Sequence, residues 1–584
     1  MRTLGRLMAC GIAVGVLIAA AVQGAVYYVA GEDPAAADTN PGTEERPWKT
    51  INRLVPTVRP GDTVYVKKGV YREEVMLRRD GWTWEGVKYP PMAVGTSYAE
   101  MISIVSLPRG AAEIRGSDVV TGWTPYTNQI WMRDWPVNSQ QVFCDGMSLQ
   151  QIGGTNAVCE YWNGRVGEGL QDMRRGSFTY DSSAKKLYLW LADGSDPNTH
   201  LIEVSVRCFL MSVNADYVRV SGFVMQHATP SRKVNWAAVH LNGRHNILEH
   251  CDILWSDFGG LGVGGENNTV IGCRMNHHGN NGLGAGGWGH RFINCETSFN
   301  NYRHWSTGWH AGGVKIIPFA HDILMSGHLA VSNEGDGIWF DAGNFNVTVQ
   351  NSISRHNKGN GIHYEISERG TFRNNVLYEN GGRGIYLSTA SDCYVLHNLL
   401  YRNGMSGVAS IAGPNRKYPP FGTEKEFVYW GRNNVVWGNI FVDNCHPARC
   451  PKDPDGRDQP WDTRAELILP HDDPANYGNL SDYNLFWRSA DRVLPFWKGW
   501  HVVEYPNLEA WREGTGNDRH SVIARPVFVN EAAYDFRPAK DSPAVGLVKP
   551  EVGAVYDGRG ALRYPWEARP EEVRFTAGPW EPER

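Results

Sequence analysis

The feature that most constrains the fold of this chain is an internal repeat between residues 238 and 444. Short apolar runs, often β-branched, recur there, and each ends at an equivalent position with a small or amide side chain. We assign that position to Cys251, Cys273, Cys295, Ser326, Asn351, Asn375, Asn398 and Asn439, at intervals of 22, 22, 31, 25, 24, 23 and 41 residues. A second marker, glycine followed by an apolar residue, recurs at Gly337, Gly361, Gly384 and Gly407. A period of this length indicates a solenoid.

The repeat predicts an all-β fold, a right-handed parallel β-helix. One coil of 22 to 25 residues cannot bury its own apolar face, so it must stack on its neighbours. The repeated asparagines are explained by amides that hydrogen-bond along the stack at a spacing of about 4.8 Å. A leucine-rich repeat has a similar period, but its Leu-x-x-Leu-x-Leu pattern is absent here. A composition with 65 Gly, 23 Trp and 25 Tyr also favours β-structure that is rich in turns.

The first 25 residues are predicted to be a signal peptide. Arg2 and Arg6 precede an apolar run over residues 7–22, and Gly24 and Ala25 suit a cleavage site. The alternative is a membrane anchor, but the run is shorter than the roughly 20 residues that a spanning helix needs. We therefore expect a secreted or periplasmic protein with no membrane contact after cleavage. A net charge of −5 gives no support for nucleic acid as a partner, and the oligomeric state stays open.

The remaining chain is divided into four segments. Residues 26–134 are assigned to an N-terminal cap and the first coils, and residues 135–200 to a small inserted β-domain. The insert is predicted because residues 176–180 and 186–190 have the pattern of hairpin strands. Residues 201–445 form the main β-helix with the active site, and residues 446–584 form C-terminal coils, loops and a tail.

The two ends of the chain resemble secreted pectate-lyase-like β-helix proteins. The matching pieces are Asp-Thr-Asn-Pro-Gly-Thr at 38–43, Pro-Gly-Asp-Thr-Val-Tyr-Val-Lys at 60–67 and Pro-Val-Phe-Val-Asn at 526–530. The resemblance implies a short helix that plugs the first coil, but it says little about the reaction.

The cysteines are predicted to be mainly structural. Cys251, Cys273 and Cys295 occupy equivalent places in three coils and should stack as small core residues. Cys445 and Cys450 share a short polar loop, and both a disulfide and two free thiols remain open for them. Closely spaced Cys or His pairs in this sequence are not accompanied by a second pair that would complete a metal site. We therefore predict neither a metal site nor a cofactor.

Two carboxylates are the candidate catalytic residues. In Gly-Ile-Trp-Phe-Asp at 337–341 and Gly-Ile-His-Tyr-Glu at 361–365, strand alternation places Trp339, Asp341, His363 and Glu365 outward. Each acid lies four residues after its glycine, which predicts one outward position on adjacent coils. Retaining glycosidases hold their carboxyl groups about 5–5.5 Å apart, and inverting ones about 6.5–9.5 Å. Adjacent coils therefore favour retention.

Other side chains are predicted to form a sugar pocket around these acids. Lys315 and Tyr386 should share the outward face, and the 31-residue interval adds a loop with three more candidates. The predicted substrate-binding residues are Lys315, Trp339, His363, Tyr386, Trp305, Trp309 and His310. For each single aromatic residue, core packing is the alternative. The 41-residue interval inserts a second long loop at about residues 414–431, and long loops on a rigid repeat often carry function.

At these residues the chain resembles the β-helical retaining glycoside hydrolases of families 120 and 141. Their Gly-(Ile/Leu)-Trp-x-Asp strand, followed one coil later by Gly-Ile-x-x-Glu, matches residues 337–341 and 361–365. The resemblance implies that Asp341 is the nucleophile and Glu365 the acid/base. It also implies an oligosaccharide or polysaccharide substrate and a β-xylosidase-, xylanase- or fucosidase-like activity.

Two other functions remain open from the sequence. A β-helical polysaccharide lyase would use a lysine or arginine base on a uronide, and Lys315 is available for that role. A non-catalytic carbohydrate-binding solenoid would keep the aromatic residues but have no use for a carboxylate pair.

Overall fold

A computed structural model describes residues 24–233, 236–411, 416–418, 427–446, 448–449, 465–469, 478–489, 496–498 and 503–548. The predicted signal peptide lies outside these residues except for Gly24 and Ala25, which directly precede the first strand at Val26. Cys450 also lies outside them, so both the disulfide with Cys445 and the two free thiols stay open. Among the described residues, the helices are all too short or too polar to cross a membrane.

Most described coils contain three strands, and two of the three belong to one long sheet. Its 24 strands run parallel to one another, each pairing with its equivalent in the next coil. The strands are Val26–Val29, Thr63–Tyr71, Ile102–Arg115, Val218–Ser221, Val224–Gln226, Ile247–Glu249, Asp252–Leu254, Thr269–Ile271, Arg274–Asn276, Arg291–Ile293, Glu296–Ser298, His321–Ser326, Leu329–Val331, Phe345–Gln350, Ile353–Arg355, Glu368–Arg373, Val376–Tyr378, Tyr394–Leu396, Leu399–Tyr401, Val435–Trp437, Ile440–Val442, Leu480–Asp482, Leu485–Trp487 and Val522–Ile523.

The third strand of each coil belongs to a second sheet, which we call the site sheet. Its 13 described strands follow chain order, and all neighbours pair in parallel except the last two. They are β1 (Val75–Arg78), β2 (Met211–Asn214), β3 (Ala237–Asn242), β4 (Gly259–Val263), β5 (Asn281–Ala285), β6 (Gly312–Ile316), β7 (Asp336–Asp341), β8 (Ile362–Glu365), β9 (Ile385–Ser388), β10 (Val408–Ile411), β11 (Leu467–Ile468), β12 (Phe496–Lys498) and β13 (Val503–Tyr505). The predicted parallel β-helix is confirmed.

Apolar side chains on the inner face of each strand stack into one continuous core. On the site sheet, in-register pairing places Val239, Leu261, Leu283, Val314, Ile338, Ile362, Ile385 and Val408 in a single inward column. All are buried within one cluster. Each fully buried aliphatic side chain of this size contributes about 1.5–3 kcal/mol. This inward column requires every intervening residue of these strands to face outward.

Amide ladders join the coils at the bends, as the repeated asparagines predicted. The Nδ2 of Asn357 donates to Oδ1 of Asn380 at 2.9 Å, and Nδ2 of Asn380 donates to Oδ1 of Asn403 at 2.9 Å. All three side chains are buried. Because a buried amide without partners is costly, the ladder strongly specifies the stacking.

The predicted repeat position was wrong in two coils. Ser326 and Asn351 were assigned to it, but the strand register places His328 and Ser352 there. The backbone N–H of His328 donates to Oγ of Ser352 at 3.0 Å, and that of Ser352 donates to Oδ1 of Asn375 at 3.0 Å. Residue type alone is therefore a poorer guide to the repeat position than the pairing of the strands.

The cysteine stack is confirmed. Cys251, Cys273 and Cys295 are buried in the core of successive coils. The backbone N–H of Cys251 lies 3.4 Å from Sγ of Cys273, and the thiol of Cys273 donates to the carbonyl of Leu248 at 3.5 Å.

The region between residues 117 and 205 departs from the coil pattern and forms two further sheets. One contains Ser117–Val119, Val142–Cys144, Met147–Ser148 and Ile202–Ser205, and the other Thr124–Thr127, Ile130–Asp134, Gln150–Gln151, Ser177–Asp181 and Lys186–Trp190. The hairpin predicted within residues 135–200 is present, with Tyr180 paired to Leu187. In the insert, Nε1 of Trp162 donates to the backbone carbonyl of Arg303 at 2.8 Å. Because Arg303 lies in a loop of the β-helix, this hydrogen bond attaches the insert to that loop.

Short elements complete the described structure. The 3₁₀ helix Ile51–Leu54 buries both of its end residues against the first coil, as the resemblance implied. The other 3₁₀ helices are Tyr98–Glu100, Cys159–Tyr161, Leu170–Asp172, Pro197–Thr199, Pro230–Arg232 and Glu531–Ala533, and the α-helix is Leu508–Thr515. Three two-stranded sheets pair Trp82–Trp84 with Val87–Tyr89, Lys417–Tyr418 with Phe427–Val428, and Phe528–Asn530 with Asp535–Pro538.

Candidate active site

One column of outward residues on the site sheet contains four of the predicted site residues. Lys315 on β6 pairs with Trp339 on β7, which pairs with His363 on β8 and then Tyr386 on β9. The predicted outward position of Lys315 is therefore confirmed. Neighbouring strands lie about 4.8 Å apart, so these side chains are in contact range.

The two candidate catalytic acids lie beside this column. Asp341 and Glu365 are the last residues of β7 and β8 and are direct partners in the ladder. Their side chains keep 18% and 11% of their surface exposed, so both reach the solvent edge of the site sheet. The prediction of one outward position on adjacent coils is confirmed. Like charges placed opposite each other repel, so this arrangement requires compensation by nearby cations.

Lys315 supplies one of those cations. Its Nζ donates to Oδ2 of Asp341 at 2.8 Å and lies 2.9 Å from the centroid of the Trp339 ring. Only 1% of the Lys315 side chain is exposed. Burial lowers the pKa of Lys315, whereas the nearby carboxylates, first among them Asp341, oppose that change. The amine therefore holds Asp341 in one orientation from the buried side.

Glu365 has its own donors. Nε1 of Trp339 donates to Oε2 of Glu365 at 3.1 Å, and Nη1 of Arg416 donates to Oε1. The same Arg416 nitrogen also donates to Oγ of Ser388 at 3.2 Å. Because the Arg416 side chain is 36% exposed, it covers Glu365 from the solvent side.

A buried carboxylate fixes the ring of His363. Oδ2 of Asp336 lies 2.7 Å from Nδ1 of His363, and Oδ1 of Asp336 accepts from the backbone and side chain of Asn360 at 2.6 and 3.0 Å. The ring is stacked between Trp339, at 4.9 Å, and Tyr386, at 4.7 Å. With a proton assigned to Nδ1, Nε2 faces Oε2 of Glu365 at 3.7 Å. Asp336 thus positions His363 beside the candidate acid.

The loop between residues 299 and 311 is only partly available to a ligand. Trp305 is 1% exposed and packs with Trp162 and Phe258, so it contributes core packing and has no accessible face for a sugar. Trp309 instead stacks on Tyr161 of the insert at 3.9 Å and remains partly exposed. The insert therefore packs against this loop through Tyr161 and Trp162.

His310 lies at the inner edge of the same loop. Its Nδ1 is 2.7 Å from Oδ1 of Asn280. Burial, with the charge of Lys315 as a second cause, lowers the pKa of His310 to about 3, so the ring is neutral at physiological pH.

A cleft of about 490 Å³ adjoins Lys315 on the N-terminal side of the carboxylate pair. It lies over β3, β4, β5 and β6 of the site sheet. Its lining residues are Trp236, Ala237, His240, Asn242, Leu261, Gly262, Val263, Asn281, Gly284, Ala285, Gly286, Trp309, His310, Lys315, Ile317 and Pro318. The volume is within the range of pockets that bind small molecules.

Comparison with known proteins agrees with this architecture. A family model described as a right handed beta helix region matches residues 237–400. The complex of XylC with xylose superposes with a TM-score of 0.57 and 15% identity, covering 81% of this chain and 86% of that one. A structure described as a glycoside hydrolase has a TM-score of 0.42 and 12% identity, covering 81% and 94%. YwoF of Bacillus subtilis (strain 168), an uncharacterized protein, is 34% identical over 85 residues.

The fold is a right-handed parallel β-helix. The chain spans only 18% of the length of YwoF, and the match covers 15% of this chain. At 15% identity the similarity to XylC establishes a shared fold, and many unrelated reactions occur on one fold. The reaction of this β-helix therefore depends on the chemistry of its site.

The sequence did not reveal several residues around the two acids. Asp336 directly precedes the glycine marker of its coil, so its place in the repeat was a usable signal. Arg416 comes from the long insertion of the 41-residue interval, and its contact with Glu365 has no periodic signal. Within that insertion, residues 412–415 and 419–426 lie outside the described residues.

Within the described part of the chain, one group of potential metal ligands lies away from this site. Ligand atoms of Cys144, Asp145 and His200 lie within 4.8 Å of one another in the inserted sheets. Both ring nitrogens of His200 are engaged, with Oδ2 of Asp145 at 2.7 Å and Oγ of Ser195 at 2.8 Å. Hydrogen bonding accounts for this group without an ion.

Proposed function

We propose that this β-helix is a retaining O-glycosidase that uses Asp341 and Glu365. The observation that carries the proposal is the direct pairing of the two acids on adjacent outward strand ends. Two carboxylates at neighbouring-strand spacing suit double displacement, which needs about 5–5.5 Å between the groups. The resemblance to families 120 and 141 assigns the individual roles.

In the proposed reaction Glu365 donates a proton to the glycosidic oxygen while a carboxylate oxygen of Asp341 attacks the anomeric carbon. The leaving alcohol departs, and the sugar remains as an ester on Asp341. A water molecule then loses a proton to Glu365 and attacks the same carbon, which releases Asp341. Two inversions give a product of unchanged anomeric configuration.

The surrounding contacts support these roles. Lys315 donates to one oxygen of Asp341 at 2.8 Å, a charge-assisted contact that holds the carboxylate in one orientation for attack. Trp339 donates to Oε2 of Glu365 and so limits the rotation of that carboxylate. Arg416 contacts the other oxygen, Oε1, from the exposed side, and we propose that substrate displaces this contact.

For the substrate we propose a plant-type or other polysaccharide-derived glycoside, with β-xylosidase-, xylanase- or fucosidase-like activity. XylC, which shares the fold, was solved with xylose. Three carboxylates and three basic side chains lie close together at the site, so it carries no excess positive charge that would favour a polyanion. The carboxylates are Asp336, Asp341 and Glu365, and the basic groups are Lys315, Arg383 and Arg416.

The test begins with a screen of aryl xylosides, fucosides, arabinosides and galactosides. Proton NMR of the first product, recorded before mutarotation, should give the retained anomer without a vinylic signal. Asp341→Ala should lose nearly all activity while keeping its far-UV circular dichroism. A matched control is Asp322→Ala, which removes an exposed carboxylate from the other sheet and should retain activity.

Three outcomes would contradict the proposal. The inverted anomer would exclude double displacement. A vinylic product that persists in Asp341→Ala but disappears in Lys315→Ala would indicate a lyase, for which the lowered pKa of buried Lys315 is the supporting observation. Binding of sugars without any turnover would indicate a carbohydrate-binding solenoid.

A further inference from the structure

The cleft beside Lys315 exists because two outward positions lack side chains. In the column that contains His240 on β3 and Lys315 on β6, the intervening positions are Gly262 on β4 and Gly284 on β5. A Cβ at Gly284 would lie 3.3 Å from Nδ2 of Asn281 and 3.8 Å from the carbonyl of Lys315. The 3.3 Å contact is tight, but its partner is the end of the flexible Asn281 side chain, so a larger residue fits once that amide shifts by a few tenths of an ångström. Glycine leaves this space open as the floor of the cleft.

Aromatic and amide groups surround this floor. Trp236 is 47% exposed, and its ring centroid lies 5.9 Å from those of Trp309 and His310 along one wall. Asn242 and Asn281 supply hydrogen-bonding groups at the cleft surface. A wall of rings above polar amides suits the apolar faces and the hydroxyl groups of a sugar.

The electrostatics of the lining favour an uncharged ligand. Burial lowers the pKa of His240 to about 4 and that of His310 to about 3, so both rings are neutral at physiological pH. Among the described residues that line the cleft there is no carboxylate, and their one cation, Lys315, is paired with Asp341. A uronide chain would bring negative charges into this cleft without a free counter-charge.

The position of the cleft determines which part of a substrate it would meet. Along the helix axis the order is the cleft over β3 to β6, then Asp341 on β7, then Glu365 on β8. In double displacement the transferred sugar is bonded to the nucleophile, and the leaving group lies on the side of the acid. The cleft is therefore on the glycone side. Three steps of about 4.8 Å make it about 14 Å long, which exceeds one sugar ring.

We propose that this cleft binds further sugar units of a neutral oligosaccharide on the glycone side of the bond that is cleaved. This inference rests on the proposed function and deepens it, because it makes a chain of two or more sugars, rather than one terminal sugar, the preferred glycone. Remote sugars in the cleft would supply binding energy that is used at the reacting bond.

The kinetic test compares aryl glycosides of a monosaccharide with those of the corresponding disaccharide. Wild type should have a kcat/KM about tenfold higher for the disaccharide. In Gly284→Leu, the ratio of the two kcat/KM values should fall to about one, because the leucine fills the floor. The control is Thr269→Leu, a partly exposed position on the other sheet, which should leave the ratio unchanged.

A binding test separates this inference from the proposed function. Calorimetry on Glu365→Gln would use xylo-, arabino- and gluco-oligosaccharides of one to three units, with oligogalacturonates for comparison. Affinity should rise with length in a neutral series, and Gly284→Leu in the same background should remove that rise. No gain with length in any neutral series, an equal gain after Gly284→Leu, or tighter binding of oligogalacturonates would overturn the inference. If affinity rises with oligosaccharide length but none of the glycosides is hydrolysed, the proposed sugar binding in the cleft is supported and the proposed glycosidase function is contradicted.

Discussion

The ion pair between Lys315 and Asp341 gives a quantitative prediction that needs no substrate. Its atoms are 2.8 Å apart, and the two side chains differ in exposure, 1% for Lys315 and 18% for Asp341. Removing one partner of a buried pair costs about 3–5 kcal/mol, because the other charge is left uncompensated. The unequal exposure therefore predicts unequal costs for the two single substitutions.

Asp341→Asn should be the more destabilising change, by about 3–5 kcal/mol, because it leaves a fully buried ammonium without its counter-charge. Lys315→Met should cost less, about 1–3 kcal/mol, since water can reach the remaining carboxylate. The double substitution should be less destabilising than the sum of the two, with a coupling of about 2–3 kcal/mol. Urea denaturation, followed by Trp fluorescence and far-UV circular dichroism, measures all four proteins.

The cost of Asp341→Asn should also depend on pH. Burial lowers the pKa of Lys315 from its ordinary value of 10.5, and Asp341 is the largest charge that opposes this. A lysine whose pKa is lowered in the folded state reduces the free energy of unfolding by its full amount below that lowered pKa. This reduction becomes smaller as the pH rises toward 10.5, the ordinary pKa of lysine. The stability difference from wild type should therefore shrink as the pH rises toward 10.5. A coupling below about 0.5 kcal/mol, or a difference that grows with pH, would refute this reasoning.

Three other substitutions test the site and the fold. Asp336→Asn keeps the shape but loses the charged acceptor of His363, worth about 1.5–3 kcal/mol, so kcat/KM should fall about 10- to 150-fold with an altered pH–rate profile; an unchanged profile would contradict the positioning role. Glu365→Ala should reduce hydrolysis of substrates with poor leaving groups by about 10²-fold more than that of activated aryl glycosides, and equal losses would count against its acid role. Asn380→Ala removes the acceptor of the buried backbone N–H of Asn357, whose Nδ2 still donates to the carbonyl of Ala330 and to Oγ of Ser354; urea denaturation should therefore record a loss of about 1–3 kcal/mol, whereas a loss under about 0.5 kcal/mol would show that the ladder is dispensable.

The repeat determined the fold and the central pair of acids from sequence alone. Coil periodicity is a local property, because each coil pairs with the next at nearly constant separation along the chain. The glycine markers therefore placed Asp341 opposite Glu365, and alternation placed Trp339 and His363 outward, as the strand register confirms. The predicted repeat position was wrong at Ser326 and Asn351, because residue type is a poorer guide to the register than strand pairing.

Only the tertiary structure decided which loop residues reach the site. Trp305 and Trp309 lie four residues apart in one insertion, yet one is buried against Trp162 and the other stacks on Tyr161 at the edge of the cleft. Both partners come from the inserted region, from a 3₁₀ helix and the residue that follows it, more than 140 residues earlier in the chain. Burial of a loop side chain depends on such distant partners, and no local pattern encodes them.

The same reason applies to the charges and to the cleft. Arg416 reaches Glu365 across an insertion whose length disrupts the repeat, so periodicity could not place it. Gly262 and Gly284 are two among 65 glycines in the sequence. Their role as an open floor appeared only when stacking aligned them beside Lys315. Sequence periodicity thus determined the stack of coils and its paired acids, whereas contacts between distant segments decided the shape and charge of the space around them.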